Sequence, residues 1–372
     1  MPKHIYETIA ENLLSRISAN EFNGGKLPSQ RALADHYRTT PVTMKKAMRL
    51  LIADNAVVLL GTSGYYVSET AVRARAPHRT VLYLLAGRAA PNTFHSGYIL
   101  SLEAVAKRRG LSLLVSTAVS AADVKSAVRR HVERHSIDGI LLTGLYEPSM
   151  ASYILSRGVP LVCSGYPVLN SPRAELVDKV VTDCSGIAAD ATRRLTHWGH
   201  TSIALVNGPS SVAFDAVCQG YLSALNDVGI AYRETLIERC ETDTRVCASR
   251  ATERLLRRAS PTAIVAATDE LAYGVIDSLK KNNLRIPDDV SVIGSGDGAP
   301  SSLMSPALST YALDKTDLSE RVLELLDQRM NGLSGKPKTV LMPIHFVSRD
   351  SAGRCLRTRK KTTAASRRPK KG

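Results

Sequence analysis

Three cationic side chains, Lys45, Lys46 and Arg49, lie within five residues of one another near the N-terminus. The apolar residues around them repeat at i, i+3, i+4 and i+7, which predicts a helix with one buried face and one cationic face. The apolar positions are Met44, Ala47, Met48 and Leu51. Lys and Arg on an exposed helix face can bind DNA phosphates and the acceptor edge of guanine. A charge cluster alone is more typical of a solvated face, so the flanking elements must decide between the two interpretations.

Two further helices and a hairpin flank these cations. A first helix is predicted over residues 5–17 by the spacing of Ile5, Ile9, Leu13, Leu14 and Ile17. Ser29 predicts the N-cap of a second helix, and Thr40 followed by Pro41 predicts the N-cap and first turn of the third. The β-rich runs on either side of residues 61–64, which contain two glycines, predict a hairpin. Three helices and a hairpin form a winged helix-turn-helix, which favours the DNA interpretation because such a fold presents its recognition helix to the major groove.

Charge and composition narrow the class of protein. The chain has 372 residues and a net charge of +15, and nine of its Lys and Arg residues lie in residues 354–372, which contain no acid. We expect residues 352–372 to be a solvated basic tail that adds attraction to phosphates independent of sequence. The six cysteines have neither disulfide nor zinc-site spacing, so free thiols are expected. No apolar run of about 18 residues and no signal peptide are evident, which predicts a cytoplasmic protein.

From residue 80 onwards, short apolar runs alternate with helical segments. The runs begin near residues 80, 111, 138 and 159, and a second set begins near 201, 235, 262 and 289. Continuous apolar strands between helices indicate parallel sheets covered on both faces. The sequence therefore predicts an α/β protein whose C-terminal part has two lobes, each built on a doubly wound parallel sheet. A small molecule would bind in the crevice between the lobes, at the carboxyl ends of the strands.

Six residues at predicted strand ends are candidates for contacting such a ligand: Phe94, Tyr166, Asn207, Thr268, Asp269 and Asp297. An aromatic ring can stack on the apolar face of a sugar, and a carboxylate can accept two hydroxyl hydrogen bonds. Asp297 belongs to residues 294–298, a Gly-rich segment that lacks the pattern of a phosphate loop and is expected to line the cleft. The alternative for each candidate is a capping or turn role. His200 has no nucleophile or carboxylate beside it in the sequence, so a structural role is expected and no catalytic, cofactor or metal site is predicted.

The N-terminal pattern resembles a known family. The run GKLPSQRALADHYRTTPVTMKKAMRLL, followed by GTSGYYV, resembles the winged helix-turn-helix of GntR-family bacterial regulators across residues 3–68. The resemblance implies that Arg31, Thr40, Thr43 and Lys45 contact DNA, and the helical spacing adds Lys46 and Arg49. Pro41 stands where many members carry arginine, and residues 54–72 contain no Lys, Arg or His. We therefore expect base contacts to concentrate on the third helix rather than on the wing.

Residues 80–351 resemble the effector-binding core of LacI/GalR-family repressors, which is similar to periplasmic sugar-binding proteins. The resemblance rests on RRLTHWGHTSIALVNG, CQGYLSAL, the long run from PTAIVAATDELAYG to SPALSTY, and LMPIHFVSRDSAG. The same combination of domains occurs in arabinose-responsive repressors. Val217, Gly296 and Thr268 stand where members usually have arginine, aspartate and asparagine. Since those groups bind sugar hydroxyls, we expect a pentose or a modified sugar rather than a simple hexose.

These features predict a homodimeric transcriptional regulator, a repressor rather than an activator, that binds a palindromic operator and is controlled by a carbohydrate. Its expected organisation is a DNA-binding domain (1–68), a linker (69–79), an effector-binding and dimerisation domain (80–351) and a tail (352–372). Two alternatives are a periplasmic solute-binding protein and a GntR-type regulator fused to an aminotransferase. The first is disfavoured by the N-terminal helices, and the second requires a larger cofactor domain with a Schiff-base lysine.

Overall fold

The computed structural model describes residues 4–18, 21–22, 25–54, 56–59, 64–67, 79–134, 137–172 and 176–356. Within them the chain divides into two compact units, with the main boundary between Thr80 and Val81. The predicted linker, except for its last residue, and the tail from residue 357 onwards lie outside the described residues. In the described part of the chain, no helix has both the length and the apolar character needed to cross a membrane.

Three helices open the first unit: α1 (Ile5–Ser18), α2 (Gln30–His36) and α3 (Pro41–Ala53). The Ser29 hydroxyl accepts the N–H of Ala32 and caps α2, as predicted. The Thr40 hydroxyl likewise accepts the N–H of Thr43, and Pro41 is the first residue of α3. The proline fits because an N–H at that position would have no partner within the helix. The break in the helical pattern is therefore the start of α3.

The core of this unit lies where the apolar stripe of α3 meets α1 and α2. Its helical members are Ile9, Ala10, Leu13, Leu33, Ala34, Met44, Ala47, Met48 and Leu51. Ile5 was expected on this face, but it is 70% exposed because it begins α1, one turn before the packed residues. The strands β1 (Val57–Leu59) and β2 (Tyr65–Val67) pair antiparallel and form the predicted hairpin, while residues 60–63 at its tip lie outside the described residues.

The second unit contains two lobes, and the first of them is built on a mostly parallel sheet. Its strands are β3 (Arg79–Ala86), β4 (Leu111–Ala118), β5 (Gly139–Tyr146), β6 (Leu161–Cys163), β7 (Tyr166–Pro167), β8 (Asp178–Thr182) and β14 (Thr339–Met342). They lie in the order β14-β8-β6-β5-β3-β4, with the short β7 pairing with the end of β5. The helices of this lobe are α4 (Thr93–Arg108), α5 (Ala121–Glu133), α6 (Pro148–Leu155) and α11 (Lys315–Met330).

The second lobe repeats the design with β9 (Ile203–Asn207), β10 (Ile237–Arg239), β11 (Ala263–Ala266), β12 (Ser291–Ser295), β13 (Ser309–Leu313) and β15 (Ile344–Val347). Their order is β10-β9-β11-β12-β13-β15. The helices α7 (Cys184–His197) and α8 (Val212–Asp227) cover one face, and α9 (Arg245–Arg258) and α10 (Asp269–Lys281) cover the other. All eight predicted strands are present, but β15 is antiparallel to β13, so this sheet is not wholly parallel as expected.

The chain passes between the lobes three times, after β8, between β13 and α11, and between β14 and β15. Each lobe is therefore completed by a late segment of the chain. Within the second lobe the helix pairs approach closely at glycines. A Cβ on Gly220 of α8 would lie 2.0 Å from the Ser185 carbonyl of α7, and one on Gly274 of α10 would lie 2.1 Å from the Arg245 carbonyl of α9. These contacts hold α8 against α7 and α10 against α9.

Candidate functional site

The outward face of α3 carries the predicted DNA-binding cations. Lys45, Lys46 and Arg49 are exposed, whereas the opposite face of the helix is buried. The Nζ of Lys46 lies 5.7 Å from the ring centroid of Tyr6 on α1, a cation–π distance. Lys45 and Arg49 therefore present their charges from α3 alone, while Lys46 also stabilises the contact between α3 and α1.

The start of α3 is organised by residues that the resemblance assigns to DNA contact. The hydroxyls of Thr40 and Thr43 lie 2.9 Å apart, in addition to the capping bond described above. The side-chain amide of Gln30 donates to the Pro41 carbonyl at 3.0 Å and links α2 to α3. Arg31 is exposed on α2. Thr40 thus has a structural role in the helix-turn-helix, and its contact with DNA stays a prediction.

A cation missed by the sequence reasoning lies beside the wing. Residues 25–27 pair with β2, since the N–H of Leu27 donates to the Tyr65 carbonyl and the N–H of Val67 donates to the Gly25 carbonyl. This pairing places the Lys26 Nζ 5.6 Å from the Tyr66 ring centroid. The wing strands have no basic residue of their own, but Lys26 supplies one from a segment some 40 residues earlier. Local patterns in the wing sequence could not have revealed it.

A cavity of about 210 Å³ lies between the two lobes of the second unit. Its walls come from the loops after β3 and β6 and from the ends of β5 and β8 in the first lobe, and from α7, α8 and the loops after β10, β11 and β12 in the second. The carboxyl ends of the parallel strands thus form the site, as expected for open α/β sheets.

Two polar contacts join the lobes across this cavity. The Arg88 guanidinium, after β3, forms an ion pair with the Asp243 carboxylate, after β10, and also donates to the Asp243 carbonyl. The Glu270 carboxylate on α10 accepts the N–H and the hydroxyl of Thr93 on α4, the latter at 2.8 Å. The side chains of Asp243 and Arg88 are only 7% and 20% exposed. Both contacts must break for the lobes to separate, so they stabilise the closed arrangement.

Four of the six predicted ligand residues line the cavity: Phe94, Tyr166, Thr268 and Asp269. The Tyr166 hydroxyl accepts the N–H of Thr182 at 2.9 Å, so the tyrosine offers its ring rather than a free hydroxyl. Thr268 caps α10 and donates its hydroxyl to Asp243. The Thr268 side chain therefore orients the interlobe ion pair.

Asp269 is a structural anchor of the loops around the cavity. Its carboxylate accepts the Thr310 hydroxyl, the Ser301 hydroxyl and the N–H of Gly298 at 2.6, 2.9 and 2.8 Å. Burial raises the pKa of this carboxyl, against the opposing effect of the hydrogen bonds. Asp269 lines the cavity, but protein groups engage both oxygens of its carboxylate. Its role is therefore to hold the segment after β12 in place.

Asn207 and Asp297, which were expected to contact the ligand, do not line the cavity. The Asn207 amide is fully buried, donates to the Phe214 carbonyl at 2.7 Å and accepts the N–H of Gly208. It therefore closes the turn between β9 and α8. Asp297 has a φ of 44°, in the left-handed region, and its carboxylate accepts from the Arg349 guanidinium at 2.7 Å, away from the cavity lining.

Buried groups beside the cavity are held neutral or fixed by packing. The Tyr83 hydroxyl lies 3.0 Å from Nδ1 of His95, and burial lowers the pKa of His95 to about 3. The Lys315 Nζ donates to the carbonyls of Gly296 and Asp297 and lies 5.5 Å from the Phe94 ring centroid. Burial lowers the pKa of Lys315. Lys315 thus joins the start of α11 to the second lobe.

His200 has the structural role expected of it. Its Nδ1 lies 3.0 Å from the Thr262 hydroxyl and its Nε2 lies 3.0 Å from the Gly353 carbonyl. All six cysteines are free. Among the described residues, no group of three or more His, Cys, Asp or Glu side chains is arranged to hold a metal ion.

Two family models match separate parts of the chain. Residues 5–67 match the bacterial regulatory proteins of the gntR family, and residues 192–352 match the periplasmic binding protein-like domain. The chain joins a gntR-family DNA-binding domain to a periplasmic binding protein-like domain. It is therefore a DNA-binding transcriptional regulator with a domain for a small-molecule effector.

Curated relatives of this regulator match about 70% of its length. The HTH-type transcriptional regulator CelR of Thermobifida fusca is 29% identical over 262 residues, which cover 69% of this chain and 76% of that protein. The HTH-type transcriptional repressor PurR of Vibrio campbellii is 26% identical over 268 residues, which cover 70% of this chain and 78% of that one. The solved CelR–cellobiose complex has a TM-score of 0.67 at 24% identity and covers 94% of this chain and 100% of its own, which shows the shared fold.

Proposed function

We propose that this regulator is a homodimeric repressor that binds a palindromic operator. We propose further that its affinity for the operator falls or rises when a carbohydrate enters the cleft between the lobes. The observation that carries the proposal is the cavity closed by the Arg88–Asp243 and Thr93–Glu270 contacts. A ligand in that cavity touches both lobes at once, so its affinity differs between the closed and open arrangements. A difference of that kind is what a ligand needs to shift a conformational equilibrium.

The carbohydrate class is supported by the cleft and by the relatives together. The aromatic rings of Phe94 and Tyr166 line the same cavity as the polar side chains of Asp243, Thr268 and Glu270, a combination suited to binding a sugar. The solved relative CelR is a complex with cellobiose, and PurR is named a repressor. We infer that this chain also binds its ligand without transforming it, and that it acts in the cytoplasm.

The DNA-binding part of the proposal assigns α3 to the major groove. Lys45 and Arg49 project from its outward face, so they are the proposed contacts to base edges and phosphates. Arg31, Thr40, Thr43 and Lys46 are the proposed supporting contacts, and Lys26 adds a cation beside the wing. We propose residues 1–68 as the DNA-binding domain and 80–351 as the effector and dimerisation domain. Two-fold protein symmetry would then be matched by a palindromic site.

Two measurements on the full-length protein test this proposal. Operator selection from random duplex DNA, followed by footprinting, should recover an inverted repeat, and gel shifts of that duplex should weaken with Lys45→Ala. A thermal-shift screen of sugars and glycosides should find a ligand that stabilises the protein. A single unrepeated half-site bound at full affinity would contradict the dimeric mode, and stabilisation only by non-carbohydrates would contradict the effector class.

A further inference from the structure

The two sides of the interlobe cavity differ in chemistry. The side next to α9 and α10 is polar and carries Arg88, Asn92, Asp243, Thr268 and Glu270. The side next to α7 and α8 is apolar or aromatic, and its main contributors are Tyr166, Ile187, Phe214, Val217, Tyr311 and Ile344. The division follows the sheet, because the two helix pairs cover opposite faces of the second lobe. A ligand that fills the cavity must therefore have two unlike ends.

The polar atoms near the apolar side are already bonded to protein. The Tyr311 hydroxyl lies within hydrogen-bonding distance of Asp190 and of the Arg194 guanidinium. The Tyr166 hydroxyl is held by Thr182, and the Asn207 amide by the turn before α8. A ligand hydroxyl or ring nitrogen placed there would lose its bonds to water without gaining protein partners. Such burial is unfavourable, so this side selects an apolar group.

The apolar wall is also rigid. Phe214 packs so tightly over Gly208 that a Cβ on that glycine would lie 2.4 Å from the ring. The Ser211 hydroxyl caps α8 by accepting the N–H of Phe214. Val217 follows on the same helix and is only 6% exposed. Because α8 is in turn locked against α7 at Gly220, the wall keeps its shape when a ligand binds.

The polar side carries one guanidinium and two carboxylates. Arg88 forms an ion pair with Asp243, and the Glu270 carboxylate accepts hydrogen bonds from Thr93. Lys315 is turned away, with its Nζ on two backbone carbonyls. The polar side thus offers donors and acceptors for hydroxyls but no spare cation for a phosphate. A phosphorylated sugar would place further negative charge beside the Glu270 carboxylate, which is unfavourable.

We propose that the effector is a neutral glycoside with an apolar aglycone, whose sugar ring lies on the Arg88–Asp243 side and whose aglycone packs on Phe214 and Val217. This inference rests on the proposed carbohydrate response and narrows it. A nucleoside also joins a sugar to a ring, but the edge of its base would face the apolar wall without partners. A free sugar would leave the apolar side in contact with water.

Calorimetry on the full-length protein tests this assignment with matched pairs of ligands. The probes are the 4-nitrophenyl glycosides of glucose, galactose, arabinose and xylose, the four parent sugars, glucose 6-phosphate, uridine and adenosine. At least one nitrophenyl glycoside should bind about tenfold or more tightly than its parent sugar, since an apolar group in a fitted pocket contributes that much. Val217→Thr, which keeps the shape but adds a hydroxyl, should weaken that glycoside about tenfold. The matched change Val228→Thr, at a 48% exposed position on the end of α8, should leave binding unchanged.

The possible outcomes distinguish the aglycone assignment from the proposed carbohydrate response. A parent sugar that binds as tightly as its nitrophenyl glycoside overturns the aglycone assignment and leaves the proposed carbohydrate response standing. Tighter binding of a nucleoside or of glucose 6-phosphate overturns the assignment of the two sides. If no sugar or glycoside binds, the carbohydrate effector itself is refuted. Operator binding by Val217→Thr at wild-type strength serves as the control for folding.

Discussion

Replacing Arg88 with methionine should open the cleft without unfolding the protein. Methionine keeps a long apolar stem but removes the guanidinium that neutralises Asp243. The Asp243 side chain is now only 7% exposed, so in the closed arrangement it would remain buried. Its side-chain partner would then be the Thr268 hydroxyl. The lobes can avoid this by separating, because an open cleft hydrates the carboxylate.

The expected cost follows from the burial of the pair. Removing one partner of a buried ion pair costs about 3–5 kcal/mol. Arg88 is one-fifth exposed and Thr268 still donates to the carboxylate, so we expect about 2 kcal/mol for the closed arrangement. That change lowers the closed-to-open ratio by about 30-fold. The affinity of any ligand that needs the closed cleft should fall with the population of that state.

Small-angle scattering and urea unfolding together decide the outcome. We expect Arg88→Met to raise the radius of gyration while the free energy of unfolding changes by less than about 1 kcal/mol. The double variant with Asp243→Asn removes the stranded charge and should restore much of the closed population. A coupling free energy below about 0.5 kcal/mol between Arg88→Met and Asp243→Asn would refute the reasoning. So would a loss of unfolding free energy with no change in scattering.

Three other predictions concern the DNA-binding helix, the buried His95 and the helix contacts of the second lobe. Lys45→Ala should weaken operator binding by about 1–3 kcal/mol with little effect on the binding of random duplex, whereas Lys46→Ala should weaken the binding of operator and random duplex alike. Gel-shift titrations distinguish the two variants. Operator affinity that is unchanged in both variants would contradict the assignment. Burial keeps the pKa of His95 near 3, below its value of about 6.5 in the unfolded chain. Between about pH 3 and 6.5 the unfolded chain therefore binds one more proton than the folded protein. The free energy of unfolding falls accordingly as the pH drops below about 6.5. Urea unfolding from pH 7 to 5 should show a slope of up to about 1.4 kcal/mol per pH unit from this residue, and His95→Gln should flatten the curve; identical curves would refute the point. Gly274→Ala should destabilise by about 1–3 kcal/mol because its Cβ would meet the first carbonyl of α9. Gly97→Ala in α4 should be neutral or stabilising, because the nearest atoms to its Cβ are those of the Lys315 side chain at 3.4 Å, an ordinary van der Waals contact. Equal effects of the two substitutions in thermal unfolding would contradict the packing argument.

Local chemistry made much of the architecture predictable. The caps at Ser29 and Thr40 and the proline at the start of α3 depend only on neighbouring residues, so each was identified from the sequence. Eight strands of the two lobes were found for a similar reason, since a strand buried on both faces is a continuous apolar run. The antiparallel β15 was missed because an edge strand that follows a crossing between lobes has no such signature.

The site was less predictable because its geometry depends on distant pairs. Arg88 and Asp243 are 155 residues apart, and neither stands in a recognisable motif. Asn207 and Asp297 do lie at strand ends, but the Phe214 carbonyl and the Arg349 guanidinium bind their side chains. Strand-end position therefore indicated the region of the cleft correctly, while the partner of each polar group decided whether it remained available for a ligand.

The coupling between cleft and operator is the central claim, and fluorescence anisotropy on one sample measures it directly. The dissociation constant of the selected operator is determined with and without a saturating glycoside from the calorimetric panel, and that of the glycoside with and without operator. We expect both dissociation constants to change by the same factor, about 5–150-fold, because coupling between two binding sites is reciprocal. Operator affinity that is unchanged at full occupancy of the cleft would contradict it.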